Sequence, residues 1–243
     1  MSSYINIEAL ALNTLHGYAG PLTDDPADIR PLDAEKFAKS FLRLRFAYGH
    51  LSKTGDILAL TTFTDTDVAL EWAEGYPRKE IVRVPKDTIL LDDRLRQPFR
   101  WPGWELARWR YTVIHECAHQ ILFRMEPSER RQAMRRQFAN RACTLRELSS
   151  AEGLEEWRAN RLTSALLMPP KYMDLLMRRY ARGQKLIAYG NRFNLPDSLA
   201  LTHICGRLGV SRTTVVIRLR QLGHLVDRPS YMYTDPAEVS CDA

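Results

Sequence analysis

His115-Glu116-Cys117-Ala118-His119 carries the residue types of a hydrolytic metal site: two imidazoles four positions apart with a carboxylate between them. On an α-helix, residues i and i+4 share a face, so both rings can converge on one ion, at about 2.0 Å to each nitrogen if that ion is zinc. Glu116 then stands beside the ion and is the candidate base for its water. Cys117, two positions from His115, points off the ligand face and reads as a small buried residue. The competing interpretation is a pair of histidines satisfied within a helical core; their pairing around a Glu weighs against it.

A catalytic zinc site takes three protein ligands and keeps a fourth position open. The run LEEWRANRLTSALL reads as a helix from about Leu154 to Leu167. It follows Gly153, opens with Glu155 and Glu156, and is closed by Pro169-Pro170. Glu156 and Asn160 share a face, which lets Glu156 bind the ion while Asn160 reaches a ligand imidazole and fixes its tautomer. From the residues alone, the two Glu side chains equally suit complementing the helix dipole, worth about 0.3–1 kcal/mol.

Elements that would hold this pair of helices follow from the punctuation of the chain. Asn6 to His16 reads as a short helix, and Gly17 to Pro31 as a connector leading to Asp33, which can cap a helix ending near Phe41. Leu42–Tyr48, Ile57–Phe63, Asp67–Glu71 and Thr88–Leu91 read as strands. Before His115, the stretch Leu106–Ile114 has no Pro or Gly and places Trp109, Val113 and Ile114 toward a core; Ile121-Leu122-Phe123 continue the stripe. The expected class is α+β, with a small twisted antiparallel sheet packed on the two ligand helices. An open edge of that sheet would let a peptide add as a further strand.

RWRYTVIHECAHQILF followed by EEWRANRLTSALLMP resembles the ImmA/IrrE family of metallopeptidases, whose pattern is an HExxH helix followed by ExxAN or ExxAD and a closing LLMP. The resemblance extends upstream over PLDAEKFAKSFLRLRFAYGHLSKTGDILALTTFTD and DTILLDDRL, and downstream over LALTHICGRLGVSRTTVVIRLRQLGHL, which is similar to the family's helix-turn-helix-like segment. It implies a minimal zinc-peptidase (zincin) fold with His115, His119 and Glu156 as metal ligands and Glu116 as catalytic base. It also implies an intracellular endopeptidase making a limited cut in a partner, a helix-turn-helix transcriptional repressor of a prophage, mobile element or stress locus. Cys117-Ala118 and Leu162-Thr163 depart from the family's usual Leu-Gly and Phe-Ala, and RQPFRWPGWEL reads as an extra loop; none of these changes removes a ligand. The Trp101-Pro102-Gly103-Trp104 stretch is expected to cover hydrophobic surface.

The ligand set suits zinc best and also admits manganese. No side chain declares itself the oxyanion donor; Tyr172 and His203 are candidates, with packing as their more ordinary role. The 243 residues are 45% hydrophobic, enough for a core without staples. Cys117, Cys143, Cys205 and Cys241 form no CxxC pair, which fits a reducing compartment. No segment has the length and apolarity of a membrane span, so a cytoplasmic protein without membrane partners is expected.

The organisation expected is an N-terminal helix and connector over residues 1–30, a metallopeptidase domain over 31–185, a helix-turn-helix-like segment over 186–228 and a tail over 229–243. The net charge of +6 raises the question of nucleic acid. Arg-rich Glu129–Arg146 reads as a solvated helix face. Leu199–Leu208, the Gly209-Val210 turn and a Ser211-capped helix to about Leu222 have helix-turn-helix spacing, with Arg212, Thr213 and Thr214 where DNA readers make base contacts. The same segment suits a helical pair docked on the core through Val215, Val216 and Leu219. The alternative function is therefore a non-catalytic metal-binding regulator acting through DNA or protein, such as a toxin-antitoxin partner.

Overall fold

Asn6 opens the first helix, its Oδ1 accepting the Ala9 N–H at 3.1 Å. This helix, α1 (Ile7–Ala19), runs past the expected end at His16 and stops at Gly20, whose φ of 79° is open to a residue without Cβ. The computed structural model describes residues 6–52, 56–70, 80–96, 103–138, 142–144 and 153–234. The chain divides into two units, one of residues 1–11 and 33–166, the other of residues 12–32 and 167–243.

In the first unit Asp33 caps α2 (Ala34–Lys36) as expected, accepting from Lys36 N at 3.0 Å. The helix then widens into a π-turn over Phe37–Phe41, closed by the Leu42 N–H on the Phe37 carbonyl at 3.0 Å. Five strands follow: β1 (Arg45–Gly49), β2 (Ala59–Thr62), β3 (Thr66–Leu70), β4 (Glu80–Val84) and β5 (Thr88–Asp92). Four lie where alternation placed them. Strand β4 was not anticipated, and Glu71 of the third expected strand falls outside the described residues.

The single antiparallel sheet is corrected to mixed sheets. One has the order β1-β5-β2, with β1 parallel and β2 antiparallel to β5; the other has the order β4-β3-β6, with β4 antiparallel and β6 (Ala142–Thr144) parallel to β3. Side-chain alternation marks which residues face a core but says nothing of strand direction, which crossovers decide. Every residue of the central strand β5 is buried, and Leu51, Leu60, Val68, Leu70, Val84 and Leu90 form one core. At its end, Asp92 accepts the Leu51 N–H at 3.1 Å and the Arg94 N–H and Nε–H at 3.0 and 2.6 Å. Burial alone would raise its pKa, but these donors bring it below the ordinary carboxylate value.

The helices of this unit are α3 (Gly103–Met125), α4 (Ser128–Phe138) and α5 (Gly153–Leu167). Of the Trp101–Trp104 stretch, Gly103 and Trp104 open α3, while Trp101 and Pro102 lie outside the described residues. Trp109, Val113 and Ile114 are buried as the periodicity predicts, as is Cys117. Helix α3 is tied to β2 by the buried Gln120, whose amide donates to Thr61 Oγ1 at 2.7 Å and to the Thr62 carbonyl at 3.0 Å. Phe123 stacks on Phe63 at 4.3 Å between centroids. The Arg-rich α4 is largely exposed, with Arg130 paired to Glu155 at 2.7 Å and Arg135 over the Phe123 ring.

The second unit contains α6 (Pro170–Tyr180), β7 (Leu186–Tyr189), β8 (Arg192–Phe193), α7 (Leu195–Leu208), α8 (Arg212–Gln221) and β9 (Leu225–Arg228). Its three-stranded sheet, order β8-β7-β9, was not anticipated. Gly209 ends α7 in the left-handed region at φ 61°, and Ser211 caps α8 by accepting from Thr214 N at 3.2 Å. Val215 and Leu219 are fully buried and Val216 half-buried. Arg218 is buried with them, a placement its charge conceals in the sequence. Among the described residues no helix is long and apolar enough to cross a membrane.

Candidate metal centre

Two helices supply the site. Helix α3 carries His115 and His119 one turn apart, and α5 carries Glu156 in its first turn. The three side chains meet: His115 Nε2 is 3.1 Å from His119 Nε2 and 3.2 Å from Glu156 Oε1, and His119 Nε2 is 3.3 Å from Glu156 Oε2. Donors placed tetrahedrally at about 2.0 Å from a zinc ion lie about 3.3 Å from one another, and the imidazole pair and the contact of each imidazole with its own oxygen of Glu156 all fall near that spacing. Among the described residues these form the one group of three or more His, Cys, Asp or Glu side chains close enough to share a metal.

Charge at the site agrees with that geometry. Hydrogen bonds from His115 and His119 hold the Glu156 carboxyl well below the usual carboxylate range. Burial works against a charged His115, yet Glu156 and Glu116 raise its pKa. His115 Nδ1 is buried without a hydrogen-bond partner, which leaves Nε2 as the nitrogen directed at the other ligands. Two imidazole nitrogens at this separation, facing one carboxylate, call for a shared proton or a cation.

Glu116 is 7% exposed. Burial raises its pKa above the ordinary Glu value, His119 and His115 lower it, and Glu156 raises it again. A carboxyl with its pKa raised in this way, next to the three converging side chains and not one of them, is suited to taking up and returning a proton. Burial, reinforced by Glu116, also pushes the Cys117 thiol well above its usual pKa, which disfavours the thiolate a metal would need.

Asn160 does not reach an imidazole. Its Nδ2–H donates to Glu156 Oε1 at 2.9 Å, because residues i and i+4 of α5 lie one above the other. Its Oδ1 accepts the Tyr111 hydroxyl at 2.8 Å. Tyr111 was missed in the sequence, although its place four residues before His115 on the same helix face was the available signal. Its ring lies 6.2 Å from that of His115, inclined by 16°. Glu155 points elsewhere, to Arg130.

Tyr172 and His203, the oxyanion candidates, belong to the second unit, where His203 stacks on Tyr180 at 4.9 Å and places Nδ1 2.8 Å from the Leu199 carbonyl. No family model matches the chain and no curated protein matches it; what supports the centre is the geometry of its own side chains.

Proposed function

We propose that this protein is a zinc-dependent endopeptidase of the ImmA/IrrE type. The supporting observation is the convergence of His115, His119 and Glu156, with Nε2 to Nε2 at 3.1 Å and the two carboxylate oxygens 3.2 and 3.3 Å from one imidazole each, beside a buried Glu116. His115, His119 and Glu156 hold the ion, zinc by preference and manganese as the alternative. When bound, the ion supplies Lewis acidity, lowering the pKa of water and polarising a scissile carbonyl. Glu116 takes the proton of the attacking water and returns it to the leaving amine. Its burial raises its pKa and so makes the carboxylate a stronger base for the first half of that exchange than an ordinary Glu would be. Asn160 donates to the Glu156 carboxylate from one turn further along the same helix.

The substrate follows from the resemblance of HECAH and EEWRANRLTSALLMP to that family: a helix-turn-helix transcriptional repressor, cut once in the cytoplasm. The test is incubation of the metal-loaded protein with the repressor encoded beside it. A single truncated product that disappears with chelator supports the proposal. Intact repressor together with salt-sensitive binding to duplex DNA points to the non-catalytic regulator.

A further inference from the structure

We propose that Tyr111 is a positioning residue of the metal centre: its hydroxyl fixes the Asn160 amide, and that amide holds the Glu156 carboxylate toward the two imidazoles. This inference rests on the metal-centre reading above. The observation is a continuous chain of two hydrogen bonds between helices, Tyr111 Oη to Asn160 Oδ1 at 2.8 Å and Asn160 Nδ2 to Glu156 Oε1 at 2.9 Å.

The direction of that chain is set by chemistry. An ionised carboxylate only accepts, so the group facing Glu156 must be the NH2 end of the amide. The carbonyl end of Asn160 then faces Tyr111 and needs a donor, and the phenolic O–H is the group within reach. Turning the amide over would set its oxygen against the carboxylate oxygen, a repulsive pairing in a half-buried site. Burial and the nearby Glu156 charge raise the Tyr111 pKa, against the lowering effect of a hydrogen bond with Ser164, so the hydroxyl keeps its proton throughout the neutral range.

Helix geometry makes the arrangement repeat. Tyr111 and His115 are one turn apart on α3, and Asn160 and Glu156 are one turn apart on α5, so the two helices are bridged on successive turns: Tyr111 to Asn160, then His115 to Glu156 at 3.2 Å. Glu156 Oε1, the oxygen held by the amide, is the one facing His115; Oε2 faces His119. Without the Tyr111 hydroxyl, the Asn160 carbonyl loses its donor and the amide its second anchor, and Glu156 gains rotational freedom that metal binding must then remove.

The test is a double-mutant cycle read by zinc affinity, using competition with a chromogenic chelator on wild type, Tyr111→Phe, Asn160→Ala and the combined variant. Tyr111→Phe keeps the ring and is expected to weaken zinc binding about 10-fold, within the range of outer-shell losses; Asn160→Ala should lose about 10–100-fold. The combined variant should bind no more weakly than Asn160→Ala, because the hydroxyl acts only through the amide. Unchanged affinity in Tyr111→Phe, or losses that add, overturns the proposal.

A second readout needs no ion: in metal-free protein the Asn160 side-chain amide protons should exchange slowly in wild type and rapidly in Tyr111→Phe. Amide signals indifferent to that substitution overturn the proposal, and they decide alone should Asn160→Ala fail to fold. A wild type that binds no zinc overturns the metal centre itself and this role with it, which separates that failure from loss of the Tyr111 role in a protein that does bind.

Discussion

The Nε2 atoms of His115 and His119 stand 3.1 Å apart, and the Glu156 carboxylate lies across both at 3.2 and 3.3 Å. Two ring nitrogens that both present lone pairs at this distance repel, so either a proton is shared between them or a cation lies against both. Under the proposed function a divalent ion would take that place and satisfy all three ligands at once. Wild type is therefore expected to bind one zinc per chain. His119→Ala and Glu156→Ala should each weaken binding by more than about 100-fold, the upper end of what loss of an outer-shell partner costs. Isothermal titration measures both, and full stoichiometric affinity in Glu156→Ala would place the third ligand elsewhere.

Glu116 is not one of the three converging side chains, so its chemistry separates from metal binding. Glu116→Gln keeps the size of the side chain and removes its capacity to accept a proton. It should retain zinc while turnover of the cleaved partner falls about 10²- to 10⁴-fold, the range of a general-base contribution. Parallel zinc analysis and a time course of product formation check it; cleavage at the wild-type rate removes Glu116 from the mechanism.

Metal-free stability and the increment from bound zinc should depend on pH in opposite directions. In metal-free protein burial opposes protonation of His115, but Glu156 and Glu116 raise its pKa above the ordinary imidazole value. A raised folded-state pKa stabilises fully below the unfolded value and is lost as pH rises through the folded value. The depressed Glu156 pKa contributes above the ordinary carboxylate range and fades as pH falls. Zinc requires unprotonated imidazoles, so its stabilisation grows with pH. Melting curves between about pH 6 and pH 9 should show the Tm of chelator-treated protein declining while the increment from zinc increases. An increment that does not vary over that interval would argue against imidazole ligation.

In the second unit, Arg218 is fully buried, its Nε donating to the Met168 carbonyl at 3.0 Å and its Nη1 reaching Gln221 Oε1 at 3.4 Å. Arg218→Met fills much of the same space but leaves that carbonyl without its donor, a cost of about 1–3 kcal/mol. Arg218→Ala adds a cavity and should cost more, about 2–5 kcal/mol. Urea unfolding reports both values. A variant Arg218→Ala as stable as wild type would show that the guanidinium contributes nothing to the packing of α8.

What the sequence by itself determined is local. The 3.6-residue period placed Trp109, Val113, Ile114 and Cys117 on the buried side of α3, the i,i+4 spacing brought His115 and His119 onto one face, and Asp33 and Ser211 marked helix starts through their own side chains. Each of these rests on geometry within a few residues, which the chain encodes directly. Strand direction, the pairing of β3 with β6 and the sheet of the second unit were decided by tertiary structure, because alternation is the same whichever neighbour a strand takes. The same holds at the centre: Tyr111 and Asn160 are 49 residues apart, and their hydrogen bond exists only because α3 and α5 pack with Tyr111 opposite Asn160 and His115 opposite Glu156. Asn160 thus turned to the carboxylate rather than an imidazole, and Arg218 went inward despite its charge, since which polar group meets which is set by how helices pack and not by the residues beside it in the chain.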